Sequence, residues 1–260
     1  MSNLTVEGVT KVYPGHSPQD EPVLALDNVS FKVEDHEFCS VLGHSGCGKT
    51  TLLTMMAGFE HPTMGSILVD GKPVGKPTWQ RSVVFQDYAL FPWMTVKENI
   101  SFGLEMKRIA TVDREEIIRR NIELVGLNGF ENRYPHQLSG GMKQRVSIAR
   151  ALAVEPKVLL MDEPFGALDA QNRALMQEEM GRLLATADPA QRKTMVLVTH
   201  SIDEAVLLSD RIIVLSRRPG RVKADLEVRL PRPRNEDSAD FIALKKKIRD
   251  LIHDEYDHEV

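Results

Sequence analysis

The sequence predicts an α/β fold with a β-rich front and an inserted helical piece. Three features carry that expectation. Val158-Leu159-Leu160-Met161, Met195-Val196-Leu197-Val198 and Ile212-Ile213-Val214-Leu215 are unbroken apolar runs, the pattern of parallel strands buried on both faces. Residues 3 to 42 read as strands: Val29, Phe31 and Val33 alternate with polar residues, and Phe38 to Leu42 is a short apolar run ending at a glycine. From about 87 to 137 the character changes to helix.

Further elements follow from local chemistry. Ile67 to Lys72 reads as a hairpin, because Asp70-Gly71 suits the positive φ angles of a tight turn. Ile118, Ile122 and Val125 share one helical face, behind a cap expected at Asp113 with Glu116 three residues later. Ser201-Ile202-Asp203-Glu204 predicts a capping box. The stretch from Arg217 to Arg234 is rich in arginine and proline and reads as a solvated segment. An amphipathic helix is expected over 235–260, with Phe241, Leu244, Ile248 and Leu251 on one side and Lys245 to Lys247 elsewhere.

Composition narrows the class. A chain of 260 residues with 42% hydrophobic and 27% charged side chains can build a core, which excludes disorder and collagen-like repeats. The formal charge of −4 argues against bulk binding to DNA or an anionic membrane. Cys39 and Cys47 supply neither a disulfide framework nor metal-ligand spacing, and are expected to be reduced thiols. No leader-like amino terminus is seen, nor any stretch near the roughly 18 apolar residues of a membrane span, so a cytosolic protein is expected.

The strand at 38–42 runs into Gly43-His44-Ser45-Gly46-Cys47-Gly48-Lys49-Thr50-Thr51 and then an apolar helix from Leu52. This fits G-x-x-x-x-G-K-S/T in its strand–loop–helix setting. The glycines let backbone N–H groups turn inward on phosphates, and the helix amino terminus adds partial positive charge. Lys49 is expected to reach the β- and γ-phosphates and the Thr50 hydroxyl to ligate magnesium. The competing reading is a glycine-rich turn with a surface lysine, but by average residue usage the bare pattern arises by chance in only ~1% of chains this long, and in fewer with the flanking strand and helix. Cys47 reads as a small filler.

Asp162-Glu163-Pro164 ends one buried strand, where ligands gather in parallel α/β sheets. Asp162 suits a hold on magnesium, and Glu163 suits acceptance of a proton from attacking water. Without the phosphate loop, an acidic pair that merely ends a strand is an equal reading. His200 ends another buried strand, and its spacing fits either a structural role or a bond to a γ-phosphate or water. Leu138-Ser139-Gly140-Gly141-Met142-Lys143-Gln144-Arg145 precedes a helix stopped near Pro156. Ser139 caps it, while Gly140 and Gly141 expose backbone donors, making a second helix end suited to phosphate.

With these residues together, the chain resembles the ATP-binding cassette family. LSGGMKQR is similar to that family's signature, and GHSGCGKTT, VLLMDEP and the later histidine extend the likeness over nearly all 260 residues. The resemblance implies an ATPase with a P-loop NTPase core, an antiparallel β subdomain and an inserted α-helical signature subdomain, using ATP and Mg2+. It implies a nucleotide-binding domain over 1–234, with its core at about 1–86 and 157–216 and its helical subdomain at about 87–156, followed by the helix at 235–260. It also implies two copies facing head to tail, the signature of one closing over the phosphate loop of the other.

The likeness assigns individual residues. Tyr13 matches an aromatic that stacks on adenine, though an edge-strand tyrosine is the plain alternative. Gln86 matches the glutamine that touches magnesium and links to the helical subdomain. Asp169, in Ala167-Leu168-Asp169, matches the loop that meets the other subunit, and His200 matches the switch histidine. The implied catalytic set is Glu163, His200, Lys49 and Gln86, with Thr50, Gln86 and Asp162 at the metal. Within the family, FQDYALFPWMTVKENI, MDEPFGALDA and RRPGRV…LPRPR most resemble importers of nitrate, sulfonates and taurine.

That subgroup implies two separate membrane-spanning permease subunits, a solute-binding protein acting through them, and a position on the inner face of the cell membrane. Met142 stands where many relatives carry glutamine, a substitution this subgroup commonly shows. Tyr88, Phe91 and Trp93 fit either a groove for a helix of a membrane subunit or packing inside the helical subdomain. A cassette working on DNA or ribosomes usually brings coiled coils, zinc modules or tandem cassettes, none of which is visible, so no nucleic-acid partner is expected. A GTP switch or small-molecule kinase would leave Leu138 to Arg145 unexplained, and no N-K-x-D motif is present.

Overall fold

The computed structural model describes residues 3–15, 20–166, 168–186 and 193–253. In chain order its elements are β1 (Leu4–Tyr13), β2 (Val23–Val33), β3 (Phe38–Leu42), α1 (Lys49–Ala57), β4 (Met64–Val69), β5 (Lys72–Pro73) and β6 (Arg81–Val84). Helices α2 (Val96–Met106), α3 (Thr111–Leu124) and α4 (Gly140–Ala153) follow. Then come β7 (Val158–Asp162), α5 (Ala170–Thr186), β8 (Thr194–Thr199), α6 (Ile202–Leu208), β9 (Arg211–Leu215), β10 (Val222–Glu227) and α7 (Ala239–His253).

Two sheets form. An antiparallel sheet has the order β2-β1-β4-β5, and a second sheet runs β10-β9-β3-β8-β7-β6. In the second, β9, β3, β8, β7 and β6 are parallel and β10 is antiparallel to β9. Side chains of each central strand alternate between two cores. Val158 and Leu160 of β7 face α1 and the antiparallel sheet, whereas Leu159 and Met161 pack with Ile148, Phe165 and Met176. That two-sided burial explains the unbroken apolar runs. The expected hairpin is present as β4 and β5, with Val69 paired to Lys72.

Helices α2, α3 and α4 share a core of their own, built on Ile100, Leu104, Ile118, Ile122 and Val146. The expected face of α3 is buried, but its cap is not at Asp113. Ala110 holds the capping position without a side-chain bond, and Asp113 lies in the first turn, where a carboxylate favours the helix dipole. Glu116 instead accepts from Arg119 and Arg120 at 2.9 and 2.7 Å.

The capping box at Ser201 is only half formed. Its hydroxyl accepts from the Glu204 N–H at 3.3 Å, but the Glu204 carboxylate turns inward to the Thr199 hydroxyl at 2.5 Å.

The arginine–proline stretch is not a solvated segment. Residues 222–227 extend the parallel sheet past residue 216 as β10. Beyond it, Arg232 donates to the Leu208 carbonyl at 2.6 Å and to Asp210 at 2.8 Å, and Arg234 donates to the Val206 carbonyl at 2.6 Å. Those carbonyls end α6 and lack helical partners, so cations are drawn to them. Phe241 and Ile248 of α7 then pack fully buried on Leu42, Ile212 and Val206. Residues 254–260 of the expected terminal helix lie outside the described residues. Among the described residues, no helix is long and apolar enough to cross a membrane.

Candidate nucleotide site

The carboxyl ends of β3, β7 and β8 converge, and the loop from Gly43 to Gly48 rises from the first of them. Gly48 begins α1 with φ 99°, and no side chain caps the helix. A Cβ there would lie 2.7 Å from Leu26 Cδ2, so glycine meets both the angle and the space. The uncapped end leaves its first N–H groups for an anion.

Beside the loop lies an open cavity of about 570 Å³. Tyr13, Val23, Ala25, Ser45, Gly46, Gly48, Lys49, Thr50, Thr51, Gln86, Glu163 and Arg218 line it. Lys49 is buried, its ammonium donating to the Gly43 and His44 carbonyls at 2.9 and 2.8 Å. Those bonds hold the amine under the loop, where it can exchange carbonyls for phosphate oxygens. Tyr13 enters from β1, its hydroxyl donating to Glu60 at 2.7 Å and its ring lying beneath Lys11 at 4.9 Å.

Two carboxylates follow β7. The Thr50 hydroxyl donates to Asp162 Oδ1 at 3.3 Å, and burial, opposed by that bond, raises the Asp162 pKa, with the Glu163 charge pushing the same way. A cation at this point would relieve both effects. Glu163 has φ 43°, a left-handed value uncommon for a residue with a side chain. Its N–H still donates to the Val198 carbonyl at 2.9 Å, so the backbone leaves the strand only at this residue. His200 Nδ1 lies 3.1 Å from Glu163 Oε2, with the imidazole 57% exposed and the carboxylate 19%.

Several expected residues do not line this cavity. Gly43, His44, Cys47 and Asp162 are not in its lining, nor is His200, which meets it only through Glu163; Cys47 is almost completely buried, in keeping with a filler. Ser139, Gly140, Gly141 and Asp169 belong to a separate place. There Ser139 caps α4 by accepting from Met142 N–H at 3.2 Å, and Asp169 accepts from the Asn172 backbone and side chain at 2.9 and 2.7 Å. The Asn172 side chain lies against Gly141, joining the starts of α4 and α5. Ala167 lies outside the described residues. Around the aromatic patch, Phe91 packs on Phe102 with centroids 4.6 Å apart while Trp93 is 70% exposed, so both readings of the patch find a residue.

Arg218, Val23 and Ala25 were not expected in the cavity. The signal available for Arg218 was its place in the arginine-rich stretch, which pattern alone assigned to solvent.

Fold and loop define an α/β protein of the P-loop NTPase class, with an open cavity at the carboxyl end of its parallel sheet. The family model for the ABC transporter matches residues 26–166. An uncharacterized ABC transporter ATP-binding protein of Methanocaldococcus jannaschii is 50% identical over 252 residues, 97% of this chain and 92% of its own length. The aliphatic sulfonates import ATP-binding protein of Bacillus cereus is 43% identical over 94% of each chain. The dimeric structure of a post-hydrolysis state of an ATP-binding cassette, bound to ADP and Pi, matches with a TM-score of 0.73 at 30% identity. That match covers 87% of this chain and 99% of the other. The chain belongs to the ABC transporter family, and its fold is that of the family's ATP-hydrolysing cassettes.

Proposed function

We propose that this chain is the ATPase subunit of an importer for a small anionic solute of the nitrate, sulfonate or taurine kind. The observation that carries the catalytic part is Glu163, which lines the cavity together with the phosphate loop and is met from outside the lining by His200 at 3.1 Å. Glu163 accepts the proton of an attacking water, His200 holds the Glu163 carboxylate and the terminal phosphate in register, and Lys49 neutralises phosphate charge. Tyr13 stacks on the base. Gln86, which lines the cavity two residues beyond β6, connects it to the α2–α4 helices.

Thr50, Asp162 and Gln86 would hold Mg2+, which supplies charge neutralisation across the phosphates when bound. The donor set fits: one buried carboxylate and a hydroxyl are what this cation accepts when phosphates complete its shell. Among the described residues there is no cluster of three or more His, Cys, Asp or Glu that suggests an all-protein metal cage.

On this reading residues 1–234 make the nucleotide-binding domain, about 87–156 its helical subdomain, and 235–260 an added helix. Support for a head-to-tail pair comes from Ser139, Gly140, Gly141 and Asp169, a helix end suited to phosphate that does not line its own chain's cavity. The importer assignment is supported by the sulfonate import relative. Two separate permease subunits would hold the pair at the inner face of the membrane, with a solute-binding protein acting through them and no nucleic acid involved.

The test is reconstitution with the membrane proteins encoded beside it. ATP hydrolysis stimulated by a sulfonate, taurine or nitrate together with its binding protein is the expected result. Co-purification with ribosomes or DNA and no membrane partner would sink the importer reading.

A further inference from the structure

A cation that no motif assigns stands at the edge of the cavity. Arg218 belongs to the link between β9 and β10, and that link is keyed in place from several directions. The Gly220 N–H donates to the Ala25 carbonyl and the Asp27 N–H to the Gly220 carbonyl, both at 3.0 Å. Arg221 Nε donates to Asp27 Oδ2 at 2.8 Å, and the Ser216 hydroxyl accepts from the Arg221 N–H at 2.9 Å. The link therefore bridges the two sheets across the phosphate loop.

From this mount the Arg218 side chain reaches the loop itself. Its Nε donates to the Gly46 carbonyl at 3.3 Å, and Arg218 lines the cavity together with Ser45, Gly46 and Lys49. The two terminal nitrogens have no protein acceptor among the described residues. A guanidinium anchored at one nitrogen, with its other donors at a cavity built for phosphates, is a preorganised fork for phosphate oxygens.

We infer that Arg218 is a phosphate-binding residue of the nucleotide site, adding a charge-assisted contact to the backbone donors and Lys49. The inference rests on the nucleotide reading of this cavity and extends it to a residue outside the phosphate loop. The ligand group is the polyphosphate chain, because Arg218 is anchored on the segment that cradles phosphates.

The test is displacement of a fluorescent ATP analogue by ATP and by inorganic tripolyphosphate, using the whole chain and its Arg218→Gln variant. Arg218→Gln should weaken both competitors by about 5- to 20-fold. Arg218→Lys, which keeps charge but loses the fork, should fall between, and it replaces the glutamine variant if that one does not fold. Unchanged affinities in Arg218→Gln and Arg218→Lys would overturn the role of Arg218 while leaving the cavity's nucleotide reading intact. Weaker ATP with unchanged tripolyphosphate would place the contact on base or ribose and overturn the phosphate assignment. No binding of the analogue by the unaltered chain would overturn both readings.

Discussion

His200 and Glu163 stand 3.1 Å apart, Nδ1 to Oε2, joining the residues that follow two adjacent parallel strands. The contact depends on the left-handed backbone at Glu163, which turns its side chain off the strand and toward the cavity. A non-glycine residue held in that region costs about 1 to 3 kcal/mol, and such strain gathers at functional sites. The surrounding sheet maintains it through the Glu163 N–H bond to Val198.

If Glu163 is the base, Glu163→Gln removes the proton acceptor but preserves size. Turnover should fall at least about 100-fold while ATP still binds. Two-fold pairs should accumulate with ATP. Phosphate release and size-exclusion chromatography report the two effects, and unchanged turnover would move the base elsewhere.

Behind His200, Glu204 is 5% exposed, bonded to Thr199 and to Gln177 at 3.2 Å. Burial raises its pKa against the opposing bonds and the Arg173 and His200 charges. A raised folded pKa stabilises below the ordinary carboxylate value and loses that contribution as pH rises through the folded value. Glu204→Gln should therefore raise Tm by a few degrees at pH 7, with the gap closing as pH falls toward about 4. A variant less stable at pH 7 would mean that the network needs the negative charge.

Gly220 has no room for a side chain, since a Cβ would lie 2.2 Å from the Cys47 carbonyl oxygen. Gly220→Ala must push the β9–β10 link off the phosphate loop. The expected loss is roughly 1 to 3 kcal/mol, seen as a lower urea midpoint with an unchanged slope. A midpoint equal to that of the unaltered chain would show the link to be loosely held.

Neither thiol is accessible: Cys39 is 0% and Cys47 1% exposed, and burial pushes the Cys39 pKa well up. A thiol reagent should label neither in the native protein and both in denaturant. Rapid native labelling of Cys47 would reveal opening of the phosphate loop.

Much of the fold was legible because burial on both faces of a sheet demands unbroken apolar runs, as in β7, β8 and β9. The loop from Gly43 to Thr51 was legible because its glycines and lysine act through adjacent backbone. The cap of α3 was misplaced because Asp113 has the chemistry of a cap, while Ala110, three residues earlier, has the backbone. Glu204 was half read: its N–H follows the local capping pattern, but its carboxylate answers to Thr199 and Gln177.

The arginines mark the division most sharply. Arg218, Arg232 and Arg234 look alike in the sequence, yet one faces the cavity and the others hold the end of α6. Burial takes Arg234 down to a pKa of about 10, helped by the Arg232 charge. The chain's own order determined the α/β class, the phosphate loop and the carboxylates at a strand end, because each depends on neighbours within a few residues. Tertiary structure alone decided which arginine lines the cavity on the Gly46 carbonyl and which ones hold the end of α6. Those partners lie 24 to 172 residues away along the chain, so no local pattern could carry them.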